Sequence, residues 1–176
     1  QVSEDAQRAG WRVLLANLRE DPGVGQACSP RPDFVTVVAT DGSQIYPDRH
    51  IEPACYLLNV GCIAFQYGTT EPPVMRAAPS LRYRDQDLDA LRGDDGEAAI
   101  HDLTTEVVSA LRDQLELEQL LQTAHEARRS ARPILAIADG TLIRWMVRGM
   151  KNRRLEQKLI GDYLQVLAAF LEHGLP

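Results

Sequence analysis

"VVATDGSQIYPDRH", residues 37–50, is the stretch on which the reading of the fold turns. Residues 34–40, "FVTVVAT", are apolar and rich in β-branched side chains, so they predict a buried strand. Asp41-Gly42 is read as its end, with Ser43 capping the turn. Residues 134–141, "ILAIADGT", repeat the arrangement: a short apolar strand, then Asp139, Gly140 and the hydroxyl of Thr141. One Asp-Gly after a strand is ordinarily a turn. Two, each with an apolar strand before and a hydroxyl after, ask for a common reason.

Outward from that stretch, "ACYLLNVGCIAFQYG" (54–68) predicts a second long strand, with Gly61 marking a bulge or a close backbone approach. A third, shorter strand lies around 73–84, interrupted by Pro79. Residues 100–129 lack Gly and Pro and predict a long helix, and 152–172 predict a last helix with Leu155, Leu159, Ile160, Tyr163, Leu167 and Phe170 on its apolar stripe. Trp11, Leu14, Leu15 and Leu18 are spaced for an amphipathic N-terminal helix over 3–20, followed by the loop "DPGVGQACSPRPD" (21–33). The expected organisation is an N-terminal helix and linker over 1–30 and a main domain over 31–176. The expected fold class is α/β: a mixed sheet with three antiparallel strands and a fourth parallel to the first, flanked by helices.

The 176 residues suit one domain, and 44% hydrophobic with 25% charged residues is a globular composition. No apolar run is long enough for a transmembrane helix, and the N-terminus lacks the order of a signal peptide. Cys28, Cys55 and Cys62 make an odd count with no CxxC spacing, and are read as reduced, buried thiols of a cytoplasmic protein. A net charge of −6 argues against a surface coated for nucleic acid, yet leaves two local basic tracks, "RWMVRGMKNRR" (144–154) and "RAAPSLRYR" (76–84). The chain opens on Gln1 rather than Met, which is read as a piece of a longer protein.

If the strands ending at Asp41 and Asp139 are parallel neighbours, both carboxylates face one crevice beyond the strand ends. Carboxylates brought together repel unless a cation lies between them, and oxygen-only ligands select a hard ion, Mg²⁺ or Mn²⁺. The long helix offers a third acid. With Leu111 taken as the centre of its apolar face, about 100° per residue puts Glu118 roughly 20° from the centre and Glu116 roughly 140° away. Glu118 is therefore the preferred ligand and Glu116 the reserve. His50, His101, His125 and His173 form no HxH or HExxH pattern and are read as ordinary surface or helix residues.

Taken in order, "VVATDGSQIYPDRH", "YLLNVGCIAFQYG" and "ILAIADGTLIRW" resemble the NurA family of prokaryotic DNA-end-processing nucleases over roughly residues 30–150. The resemblance implies an RNase H-like core and catalytic, metal-binding roles for Asp41, Glu118 (or Glu116) and Asp139 around Mn²⁺ or Mg²⁺, with two ions expected. It implies 5′-3′ exonuclease and single-strand endonuclease activity, a homodimer, and docking on a hexameric HerA-type translocase. The family's C-terminal Tyr and His have no counterpart, so the domain is expected to be incomplete at its C-terminus. Arg144, Arg148, Lys151, Arg153 and Arg154 are the candidate DNA contacts. The rival readings are an actin-like or sugar-kinase-like ATP-binding domain, disfavoured by the absence of a glycine-rich phosphate loop, and a non-catalytic adaptor of a DNA translocase.

Overall fold

The computed structural model describes residues 21, 23–25, 27–48, 50, 55–83, 105–128, 132–142, 147, 150 and 153–175. The chain divides into two compact units, Gln1–Arg31 and Pro32–Pro176. In the first, Asp21 organises a turn: its carbonyl accepts from Val24 N at 3.1 Å and its Oδ1 from Gly23 N at 2.9 Å. The helix expected over 3–20 lies outside the described residues.

The second unit contains β1 (Val35–Ile45), β2 (Tyr56–Tyr67), β3 (Val74–Arg82), α1 (Thr105–Ala127), β4 (Ile134–Ile137) and α2 (Arg153–Glu172). The strands form one sheet in the order β3-β2-β1-β4. β1–β2 and β2–β3 are antiparallel, and β4 adds to β1 in parallel through the crossover that contains α1. The fold is thus the mixed α/β sheet that the pattern predicts.

Three local expectations fail. β1 does not stop at Asp41-Gly42: it runs on to Ile45, with Asp41, Gly42 and Ser43 paired to Gly61, Val60 and Asn59. Ser43 therefore caps no turn, and its hydroxyl lies 3.5 Å from Asn59 Nδ2. Gly61 is no bulge, because the register passes through it without a break on both sides, and an added Cβ would meet only Asp41 O, at an ordinary 3.6 Å. Pro79 does not interrupt β3, where it pairs opposite Asn59. A sheet edge is where a residue without an N–H is tolerated, and β3 is an edge strand.

Side chains alternate across a strand, and the alternation fixes where the core sits. Thr36 and Val38 of β1, and Tyr56, Leu58, Val60, Cys62 and Ala64 of β2, are buried. Against them α1 sets Leu117, Leu120 and Ala124, packed with Val38, Ala64 and Ile134. α2 adds a further layer through Tyr163 and Val166 in the same cluster, and through Leu155 and Leu159 in a second cluster with Val107, Val108 and Ala110. Ile160, expected in the α2 stripe, is exposed. Arg76 ties edge strand β3 to α1, donating to Glu126 Oε2 at 2.6 Å and to Thr123 Oγ1 at 2.9 Å. That use removes the first residue of the 76–84 track from any free basic surface. All three cysteines are free, but only Cys62 is buried; Cys28 is exposed and Cys55 half-buried.

Candidate active site

The parallel pairing of β1 with β4 brings the two Asp-Gly motifs together. Thr36 pairs with Ile134 and Ala39 with Ile137, and the same offset carries Asp41 to Asp139. Asp139 lies just past the end of β4, at the level where β1 presents Asp41, and both carboxylates belong to exposed residues. The two motifs share this level but differ in local form. Gly140 has φ of +92°, a left-handed conformation that a side chain disfavours, and its N–H bonds Asp139 Oδ1 at 2.7 Å. That motif is a true turn. Gly42 lies within a strand and is required for another reason, which α1 supplies.

An ideal Cβ at Gly42 would stand 2.3 Å from Glu116 Oε1 and 2.9 Å from Arg112 Cγ. Glu116 thus lies directly on the strand backbone, and the bare glycine makes the room. Thr40 Oγ1 fixes the same turn of α1, donating to Glu116 O at 3.1 Å. Glu118 points elsewhere: it is exposed, and its Oε1 accepts from Gln114 Nε2 at 2.8 Å. The preference for Glu118 is corrected on this point of position. Leu111, taken as the centre, is itself only half-buried, at the margin of the cluster that joins Tyr56 and Leu58 of β2 with Leu155 and Leu159 of α2. The sheet-facing line is Leu117, Leu120 and Ala124, and Glu116 flanks it.

Arg112 completes this corner. Its Nη1 donates to Gly42 O at 3.2 Å and its Nη2 to Asp113 Oδ1 at 2.5 Å, while Nε stands 3.4 Å from Glu116 Oε1. Burial opposes the guanidinium's charge, but the carboxylates of Glu116 and Asp113 outweigh it and hold Arg112 protonated more firmly than usual. Nearby, Tyr46 OH shares a hydrogen bond with Ser109 Oγ at 3.1 Å and accepts from Gln44 Nε2 at 2.6 Å. These two bonds, Ser109's first, draw its pKa below the ordinary tyrosine value. Neither Arg112 nor Tyr46 was singled out from sequence. The Arg112-Glu116 spacing of one helical turn was the available signal.

The basic residues are less convergent. Arg153 and Arg154 are exposed at the start of α2, and Arg153 pairs with Glu156 at 2.9 Å. Arg144, Arg148 and Lys151 lie outside the described residues, as does His101. His50 is exposed, its N–H bonded to Asp48 Oδ1 at 2.9 Å. His125 and His173 stack edge-to-face on each other, ring centres 4.3 Å apart.

The domain model "NurA domain" matches residues 35–175, from the first residue of β1 to just beyond α2. The chain belongs to the NurA family. No curated protein and no solved structure matches it significantly. NurA is a nuclease family with a DNA-repair context, so membership carries an interaction with DNA. No helix among the described residues is long and apolar enough to cross a membrane.

Membership directs attention to a divalent metal, for which the residues can be tested. The donor set around β1 is oxygen-only, as a hard ion requires, and Gly42 is a cradle that admits a carboxylate onto the strand. Among the described residues, however, no three His, Cys, Asp or Glu side chains stand close enough to hold one ion together. Alternation sends Asp41 to the face opposite Gly42, while Glu116 approaches from the α1 side. The donors suit a hard ion in chemistry, but they stand on two faces of β1 and do not converge on one ion; the cation paired with Glu116 is Arg112.

Proposed function

We propose that this NurA-family chain is a metal-dependent DNA nuclease whose acid set is Asp41, Asp139 and Glu116. One observation carries the reading: the β1–β4 register puts both Asp-Gly motifs at one level, where an open α/β sheet gathers its ligands. Asp41 and Asp139 would hold Mn²⁺ or Mg²⁺, with Glu116 as the third oxygen donor and two ions in the full site. When bound, such ions supply Lewis acidity toward a phosphodiester and lower the pKa of bound water.

The chain's own residues do the remaining work. Thr40 and Gly42 hold the Glu116 turn of α1 against β1. Arg153 and Arg154, with Arg144, Arg148 and Lys151 of the same basic run, would guide the strand by phosphate contacts, which makes binding strongly salt-dependent. The resemblance supports the finer reading: 5′-3′ exonuclease and single-strand endonuclease action at DNA ends, as a homodimer docked on a hexameric HerA-type translocase.

The test is Mn²⁺-dependent degradation of end-labelled linear DNA by the purified protein, with and without such a translocase, beside Asp41→Asn and Asp139→Asn. Cleavage by the parent and its loss in both folded variants supports the reading. A parent that binds the translocase but cuts nothing under any condition replaces it with the adaptor.

A further inference from the structure

A cavity of about 300 Å³ opens at the end of the sheet away from the Asp-Gly motifs. Gln66 on its wall pairs with Thr36, five residues ahead of Asp41 and so about 17 Å from it along β1. β2, β3 and the last turns of α1 supply the other walls, with Arg132 just before β4. The volume suits a small organic ligand. Two ion pairs line it: Arg76 meets Glu126 and Arg132 meets Glu71, each at 2.6 Å. Their charges cancel, so a neutral ligand leaves both pairs intact, whereas an ion would arrive uncompensated.

Hydrogen-bonding capacity stands open on both sides of the cavity. A guanidinium carries five N–H donors, and Arg132 spends one, from Nη2 on Glu71 Oε1, among the described residues. Gln66 Oε1 is shut off from solvent, and no described residue donates to it. Its cross-strand neighbour Thr36, 1% exposed, carries a second unpartnered oxygen, Oγ1. Leaving a buried acceptor unpaired is costly. Ala64, Val74 and Ala127 add apolar wall. The matching ligand is small and neutral, with acceptors for Arg132, an N–H for Gln66 and apolar surface between them.

We propose that this cavity binds one unpaired nucleobase of a DNA strand, guanine foremost. This rests on the reading that the chain acts on DNA, and not on the acid set. Guanine O6 and N7 match the donor fork of an arginine, here Arg132, and its N1–H and N2–H serve Gln66 Oε1. Thymine offers a single N–H, and adenine and cytosine lack the O6/N7 pair. A single-stranded end presents bases already unpaired, so little is spent on extracting one. A base held here anchors the strand at a second point, apart from the acids.

The test uses deoxyguanosine, titrated into the ¹⁵N-labelled full chain without metal or DNA and followed by NMR. Saturable shifts at Gln66 and Arg132 are expected, with a Kd on the order of 0.1–1 mM. Deoxyadenosine, deoxycytidine and thymidine are expected to bind at least about five-fold more weakly. Gln66→Leu keeps the volume and removes the orphaned acceptor. Its melting temperature is unchanged or higher, while its affinity for deoxyguanosine falls about ten-fold. Arg132→Gln weakens binding similarly. 7-Deazadeoxyguanosine, which lacks the N7 acceptor, binds the parent more weakly than deoxyguanosine, and the difference vanishes in Arg132→Gln.

Three results overturn the base pocket. One is the absence of any shift with millimolar deoxyguanosine. Another is full affinity retained in folded Gln66→Leu and Arg132→Gln. The third is equal binding of deoxyribose 5-phosphate or of glycine, which would make the site one for an anion or a zwitterion. The nuclease reading is tested separately by cleavage. A parent that cuts DNA with Mn²⁺ but takes no nucleoside loses the base pocket alone. A parent that binds deoxyguanosine as expected but cuts nothing loses the nuclease reading alone.

Discussion

Gly42 and Gly140 are the same residue in two copies of one motif, and each is glycine for a different physical reason. Gly140 needs a positive φ, whereas Gly42 needs empty space where Glu116 and Arg112 lie. The two requirements separate in mutants. Gly42→Ala pushes the Glu116 carboxylate off the strand, and much of its effect disappears once Glu116 is shortened. A double-mutant cycle of Gly42→Ala with Glu116→Ala, measured by urea denaturation, is expected to show a coupling of about 1 kcal/mol. Strict additivity would mean that the two groups do not meet. Gly140→Ala strains a left-handed position at about 1–2 kcal/mol, with no coupling to Glu116. The sequence contained both motifs and their hydroxyl neighbours, and from these the pair of aspartates was legible. That one glycine sits in a strand was not, because Asp-Gly is locally a turn signal and only the pairing with Val60 and Gly61 overrides it.

α1 shows at the scale of an element why Glu118 was expected in the buried stripe and is instead exposed. A helix with one partner shows one apolar stripe; α1 has two partners, the sheet and α2. Its apolar residues therefore spread around the axis, and Leu111, half-buried against a cluster with both β2 and α2 residues, does not mark the centre of the buried face. The buried line toward the sheet includes small residues, Ala110 and Ala124, which a count of large apolar side chains undervalues. Leu120, 2% exposed and packed in the cluster of Val38 and Ile134, is its anchor. Leu120→Ala is expected to destabilise the unit by about 2–5 kcal/mol, read from the urea midpoint at unchanged m-value. A loss below about 1 kcal/mol would place α1 off the sheet. The strands were more legible, since the apolar runs of β1, β2 and β4 suit a pleated strand even where, as at Leu135 and Ile137, one face stays exposed. Pro79 misled because an edge strand tolerates it, and edge position is a property of the assembled sheet.

For the whole molecule, the crossover through α1 joins these parts. It returns the chain to β1 in parallel, sets the Asp41 and Asp139 motifs at one level, and delivers Glu116 to Gly42 from the helix layer. The family match spans that arrangement from β1 onward. The same topology leaves apolar residues exposed on the opposite sheet face, Phe65, Leu135 and Ile137 among them. The two glutamates of α1 are the discriminating pair for the account, because Glu116 lies on the strand and Glu118 is exposed beside Gln114. The direct measurement is the rate of Mn²⁺-dependent cleavage of end-labelled linear DNA by Glu116→Gln and Glu118→Gln, each checked for folding. Glu116→Gln is expected to lose on the order of 100-fold in rate, with Glu118→Gln within about three-fold of the parent. A parent-like Glu116→Gln beside an inactive Glu118→Gln would contradict the site.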